Sequence, residues 1–289
     1  MSRIAYVNGR YRPQAVAAVN IEDRGYQFGD GVYEVVHVYG GRFIDEDLHL
    51  DRLERSLREI EIAMPMPRAS LRRVLAEVMR RNRVREGLLY MQVTRGVARR
   101  DHPFPEPAPR PALVVTARRL SPFPADIDPW AVAAITRPDE RWARRDIKSV
   151  NLLPNVLAKQ AARRAGAAEA ILVDEAGMVT EGASTSVWIV DREGRLRTRA
   201  LGPEILPGCT RAALIALIGE AGVAWEEGSF AASELGQARE IFLTSASSFV
   251  KPVVRLDGAP VGEGKVGPVT RKLFARFARH VQGAPRNAA

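Results

Sequence analysis

Two proline-rich stretches set the firmest limit on how this chain can fold. Pro103 to Pro111 holds five prolines in nine residues, and Ser121-Pro-Phe-Pro-Ala-Asp-Ile-Asp-Pro129 follows soon after. Proline lacks an amide N–H and fixes φ, so neither stretch can lie inside a helix or a central strand. The first is a stiff, non-helical loop with enough reach to leave its own lobe. The second divides the chain into a smaller N-terminal α/β domain over 1–119, a linker over 120–129 and a larger C-terminal domain over 130–289. A length of 289 residues exceeds the usual size of one compact core, which agrees with two domains.

Hydrophobic periodicity fills in both halves. Tyr6-Val-Asn-Gly-Arg-Tyr11 places an Asn-Gly turn between apolar residues, a strong hairpin signal. Gly31–Tyr39 reads as a strand that Gly40 and Gly41 turn back on itself. Leu50, Leu53, Leu57 and Ile60 share one face of a helix over 47–62, ended by Pro65 and Pro67. Arg52 lies off that leucine stripe, and its plain reading is a solvated helix arginine. A second amphipathic helix covers 69–81, and strands at 88–94 and 112–117 complete the first half. The second half predicts strands at 130–135, 169–173, 186–190, 196–198, 240–244 and 252–256, with helices over 154–165, 210–221 and 266–280. The expected fold is mixed α/β (α+β) in two lobes.

Hydrophobic residues at 46% and charged residues at 27% are ordinary for a soluble globular enzyme. No stretch approaches the roughly 20 apolar residues that span a bilayer. The first residues lack an apolar signal core and read at once as strand and turn. Cys209 is the single cysteine, which excludes an internal disulfide, and a cytoplasmic location is expected. A net charge of +9 raises nucleic acid as a partner. The arginine pairs are scattered from 72–73 to 163–164, however, without the interleaved aromatics of a single-strand platform. Neither nucleic acid nor a membrane is expected as a partner, and no metal is expected.

The chemistry concentrates around Lys148, in Arg145-Asp-Ile-Lys-Ser-Val-Asn-Leu-Leu-Pro-Asn155. The chain has five lysines among 43 basic residues, so a lysine between Ile147 and Val150 is not generic surface charge. An amine in an apolar stretch loses its proton more easily and attacks carbonyls, the chemistry of a Schiff base with pyridoxal phosphate. Glu181, in Val179-Thr-Glu-Gly-Ala-Ser-Thr185, is an acidic partner for the pyridine nitrogen of such a cofactor. The bland alternative is that Lys148 pairs with Asp146 or Glu181 at the mouth of a strand.

A third motif sharpens the choice. Glu22-Asp-Arg-Gly-Tyr-Gln-Phe-Gly-Asp-Gly-Val-Tyr-Glu-Val-Val36 resembles the opening block of the fold-type IV pyridoxal-phosphate enzymes, the class IV aminotransferases. The Lys148 and Glu181 segments resemble the Schiff-base lysine and pyridine-nitrogen carboxylate of the same family, in its order and spacing. The resemblance implies a cofactor site at the domain junction. It also implies phosphate contacts from Arg52 in His49-Leu-Asp-Arg-Leu53, from Cys209 and Thr210 at a helix start, and from Ser245 and Ala246 in Thr244-Ser-Ala-Ser-Ser248. Thr210 could serve as N-cap as well. Ala246 departs from relatives that carry a threonine there, which removes one hydroxyl from the phosphate site.

Arg100 and His102, in Thr94-Arg-Gly-Val-Ala-Arg-Arg-Asp-His102, resemble the Arg-x-His pair of D-amino acid aminotransferases. In that subgroup the pair reaches across a homodimer interface and, with a tyrosine matching Tyr33, binds the substrate α-carboxylate. The expectation is a homodimeric transaminase of D-amino acids and 2-oxo acids. The alternatives are a branched-chain L-amino acid or (R)-amine transaminase, a 4-amino-4-deoxychorismate lyase, or a basic binding protein that keeps the scaffold. Phe249 stands where Bacillus-type D-amino acid enzymes have an acidic residue, so side-chain preference does not carry over.

Overall fold

A computed structural model describes residues 3–283; Met1 and Ser2, at the head of the first predicted strand, and residues 284–289 lie outside that range. The chain divides into two compact units. One comprises the residues up to Pro122 together with Ile147–Asn151, and the other Phe123–Asp146 with the residues from Leu152 onward. The break falls inside the second proline-rich stretch. The Lys148 segment belongs with the first unit, not with the C-terminal half in which it lies in sequence. Ile147 draws it there, buried at 5% exposure in the first unit's core.

Among the described residues, the first unit builds an antiparallel sheet in the order β2-β1-β6-β5-β3-β4. Its strands are β1 (Ile4–Val7), β2 (Arg10–Pro13), β3 (Gly31–Tyr39), β4 (Arg42–Phe43), β5 (Gly87–Thr94) and β6 (Ala112–Arg119). A short helix α1 (Arg24–Phe28) precedes β3, and α2 (Glu46–Glu59) and α3 (Arg68–Asn82) follow β4. Val32, Val36, Met91, Val93 and Val115 interlock with Leu50, Leu53, Leu57 and Leu71 in one core. Strand side chains alternate, so Tyr33, Val35, Tyr90, Gln92 and Thr116 fall on the opposite face, where they are half-buried. The helix α1 has no periodic signal to read at five residues; it is fixed by Asp23, whose carboxylate accepts from the Gly25 N–H, and by Gly29 at φ +70.

The second unit holds a mixed sheet in the order β12-β11-β10-β13-β14-β7-β8-β9, with β15 paired to β14. In chain order these elements are β7 (Val132–Pro138), α4 (Leu153–Arg164), β8 (Glu169–Val173), β9 (Val179–Gly182), β10 (Ser186–Val190), β11 (Leu196–Thr198), α5 (Cys209–Ala221), β12 (Trp225–Glu227), α6 (Ala232–Leu235), β13 (Glu240–Ser245), β14 (Phe249–Leu256), β15 (Ala259–Pro260) and α7 (Pro268–Gln282). The pairs β14/β7, β7/β8 and β11/β12 are parallel. Residue Phe249 opens β14 three residues before the predicted start, in a left-handed conformation (φ +52) that aromatic residues avoid. Its ring is 1% exposed and packs 5.1 Å from Phe123 and 5.0 Å from Phe277, which holds the backbone there. Phe249 is thus part of this unit's aromatic core. Among the described residues, no helix is long and apolar enough to cross a membrane.

Candidate active site

In the first unit, residues 147–151 lie along β3. The Tyr33 N–H donates to the Lys148 carbonyl at 3.0 Å, and the Val150 N–H donates to the Gly31 carbonyl at 3.0 Å. Gly29 lets the segment close in, since a Cβ there would sit 2.0 Å from Asn151 Oδ1. The backbone is therefore fixed on both sides of Lys148, and its amine lies 3.3 Å from the Tyr33 hydroxyl and 4.4 Å from the ring centroid. Tyr33 stacks at 5.7 Å on Tyr90, whose hydroxyl donates to Gln92 Oε1 at 2.6 Å. Burial, helped by the neighbouring Tyr33, pushes the Tyr90 phenol up to about 12, so it stays protonated over the working range. The acids considered as plain partners for Lys148 are engaged by arginines. Arg144 donates to both Asp146 oxygens at 3.0 Å, and Arg141 donates to Glu181.

Arg52 is not the solvated helix arginine of the plain alternative. It is 8% exposed and forks onto Glu34, with Nε–Oε1 at 2.7 Å and Nη2–Oε2 at 2.9 Å, while His49 Nδ1 lies 2.8 Å from Glu34 Oε2. His49, Arg52 and Ser56 recur at helical spacing and form a polar stripe beside the leucines of α2. Ser56 Oγ accepts the Lys148 N–H at 3.3 Å. Burial alone would raise the Glu34 pKa, but the Arg52 charge and the hydrogen bonds from Arg52 and His49 hold it far below the carboxylate range. Arg100 and His102 are exposed, set 5.1 Å and 5.5 Å from the Phe28 ring centroid.

In the second unit, Glu181 lies on β9 at 5% exposure, and its Oε1 accepts from Arg141 and from the Leu206 N–H at 3.2 Å. Sequence reading missed Arg141, because four arginines crowd residues 137–145 and only the fold selects the one that reaches Glu181. Arg141 also grips Asp139 at 2.9 and 2.8 Å, and Thr180 Oγ1 donates to Asp139 at 2.7 Å. Burial works against the Arg141 charge, but Asp139 and Glu181 outweigh it and raise its pKa. Burial would raise Asp139 too, and Arg141 more than reverses that. The turn after Glu181 is held by Glu169, which accepts from Ser184 at 2.8 Å and Thr185 at 3.2 Å.

Helix α5 begins one residue earlier than predicted. Gly208 is its N-cap, so Cys209 and Thr210 are its first two residues, and Thr210 is not the cap. Gly208 supplies no side-chain capping bond, and a Cβ there would meet Ser186 Oγ at 2.8 Å. The first amides of a 13-residue helix are thus left for another acceptor, beside the buried Thr210. Ser245 ends β13 and shares hydrogen bonds with Ser247 at 3.1 Å and Ser248 at 2.8 Å, with Ala246 in the turn between. Within the first unit an amine stands beside a phenol, and within the second a carboxylate is paired with an arginine and uncapped amides lie beside hydroxyls; each is a donor type that pyridoxal phosphate uses.

A family model described as amino-transferase class IV matches residues 31–256. The chain belongs to the class IV aminotransferases. This class IV aminotransferase is 41% identical over 266 residues to the D-alanine aminotransferase of Bacillus licheniformis, covering 92% of this chain and 93% of that one. It is 39% identical over 276 residues to the D-alanine aminotransferase of Listeria monocytogenes serotype 4b (strain F2365), covering 95% of each. The branched-chain amino acid aminotransferase of Escherichia coli has the same fold, with a TM-score of 0.88 at 24% identity over 100% of this chain and 98% of that one. The branched-chain aminotransferase of Thermoproteus uzoniensis, solved with norvaline, gives a TM-score of 0.83 at 26% identity over 98% and 96%. The family read from the three motifs and the mixed α/β fold expected from periodicity are both borne out.

Proposed function

We propose that this class IV aminotransferase transfers amino groups between D-amino acids, such as D-alanine, and 2-oxo acids, such as 2-oxoglutarate. The observation that carries the reading is the Lys148 amine set 3.3 Å from the Tyr33 hydroxyl, in a chain 39–41% identical to D-alanine aminotransferases. Pyridoxal phosphate, when bound, supplies the electron sink that makes the substrate α-proton removable. Lys148 would hold the cofactor, and its amine, once free, would take the proton from the substrate Cα and pass it on along the same face. Glu181, paired with Arg141, would hold a proton at the pyridine nitrogen. Arg52, Ser245, Thr210 and the amides of Cys209 and Ala246 would bind the phosphate. Tyr33, Arg100 and His102 bind the substrate carboxylate, and this fixes which enantiomer turns its α-proton to Lys148.

A homodimer is part of the reading. Ile21 and Tyr26 are 78% and 75% exposed, and Leu153, Val156 and Leu157 form a bare apolar stripe on α4. Patches of this kind are rarely left to water.

The assay is pyruvate release from D-alanine with 2-oxoglutarate as acceptor, run beside L-leucine with the same acceptor. Turnover of L-leucine alone would move the assignment to branched-chain substrates. In the same assay Glu181→Gln is expected to retain the cofactor and lose about a hundredfold in rate, the usual cost of removing one preorganised charge. An unchanged rate would remove Glu181 from the mechanism.

A further inference from the structure

The loop that carries Arg100 and His102 is fastened by one arginine far away in sequence. Arg24 is 3% exposed, and its guanidinium spends its donors on that loop and on Asp30. Nη1 donates to the Asp101 carbonyl at 2.5 Å, Nη2 to the His102 carbonyl at 3.1 Å and Nε to Asp30 Oδ2 at 2.8 Å. Asp30 is shared with Arg95, whose Nε lies 2.7 Å from Oδ2 and Nη2 3.1 Å from Oδ1. Arg95 donates in turn to the Ile60 and Glu61 carbonyls at 2.6 and 3.0 Å and stands 3.6 Å from the Phe104 ring centroid. At the base of the loop Gly96 has φ +101, and a Cβ there would come within 2.2 Å of the Arg110 carbonyl oxygen.

Phe28 completes the arrangement. Its ring centroid lies 4.7 Å from the Arg24 guanidinium carbon and 5.1 Å from that of Arg100, and its ring stands 5.5 Å from the His102 ring. Two exposed side chains are therefore carried on backbone that is tied down on both sides of them. Without such ties, a proline-rich loop would have to lose its freedom each time substrate bound, and affinity would fall accordingly.

We propose that Arg24 is a positioning residue for substrate-carboxylate recognition: by holding the Asp101 and His102 carbonyls it sets the directions of Arg100 and His102 before substrate arrives. This rests on the reading that Arg100 and His102 bind the carboxylate. Arg24→Met removes the two carbonyl bonds but leaves Asp30 paired with Arg95, so no buried charge is stranded. The expected result is a rise in KM for D-alanine of about tenfold with kcat nearly unchanged, since what is lost is ground-state binding.

The test is a double-mutant cycle on the cofactor-loaded enzyme. Arg24→Met is measured alone and on an Arg100→Ala/His102→Ala background, with melting temperature recorded for each protein. On that background Arg24→Met is expected to change KM by less than about twofold, because its effect passes through side chains no longer present. Arg24→Lys keeps a cation beside Asp30 and is expected to give an intermediate KM; it carries the cycle if the methionine variant does not fold. An equal rise in KM on both backgrounds would overturn the inference, as would an unchanged KM for Arg24→Met while Arg100→Ala/His102→Ala raises it. If the Arg100→Ala/His102→Ala protein itself binds D-alanine normally, the carboxylate reading fails first and takes the inference with it.

Discussion

Lys148→Ala is expected to reduce transamination by at least about a thousandfold, because one amine is proposed to serve as both anchor and proton carrier. The loss should be chemical and not structural. The 147–151 segment is held by main-chain bonds from Tyr33 and to Gly31, and by Ile147 in the core, none of which needs the lysine side chain. Far-ultraviolet circular dichroism and melting temperature are therefore expected to stay close to wild type. Pyruvate release from D-alanine is the measurement. Turnover within a few-fold of wild type would sink the role given to Lys148.

Glu34→Gln is expected to have the largest effect on stability, about 3 kcal/mol or more, seen as a lower denaturant midpoint at unchanged slope. Glu34 is fully buried and is the carboxylate onto which Arg52 forks and against which His49 rests. Glutamine keeps the shape and removes the charge, so the Arg52 cation would be left in the interior without its counter-charge. The pH dependence follows from the depressed pKa of Glu34. A carboxylate whose folded pKa lies below its unfolded value of about 4.3 contributes fully above that pH. The contribution is lost as pH falls through the folded value. The gap between wild type and Glu34→Gln is thus expected to be widest above about pH 5 and to narrow below about pH 4. A gap that does not change with pH would mean that Glu34 is not ionised in the folded protein.

Periodicity was enough for the long elements, since β3, β5, α2, α3 and α7 carry apolar residues at the right spacing over eight or more positions. Shorter pieces escaped it. The helix α1 rests on the Asp23 cap and Gly29, and β12 rests on parallel pairing with β11, neither of which leaves a pattern in three to five residues. The proposed site residues Lys148 and Glu181 stood out by their own motifs, whereas their surroundings did not. The pairing of Arg52 with Glu34 was hidden, because Glu34 lies 18 residues away on a strand. A stripe of His49, Arg52 and Ser56 beside the leucines was the available signal. Arg141 had no signal that set it apart from Arg137, Arg144 and Arg145. The return of residues 147–151 to the first unit depends on strand pairing and on the burial of Ile147, which local sequence does not encode.

The central claim is that Lys148 works on D-amino acids. The most direct measurement is a single turnover without acceptor, in which cofactor-loaded protein is mixed separately with D-alanine, L-alanine and L-leucine and the released 2-oxo acid is counted per site. The account predicts about one pyruvate per site from D-alanine and almost none from either L-amino acid, as a face-specific proton transfer requires. Stoichiometric 2-oxo acid from L-leucine, with none from D-alanine, would contradict it.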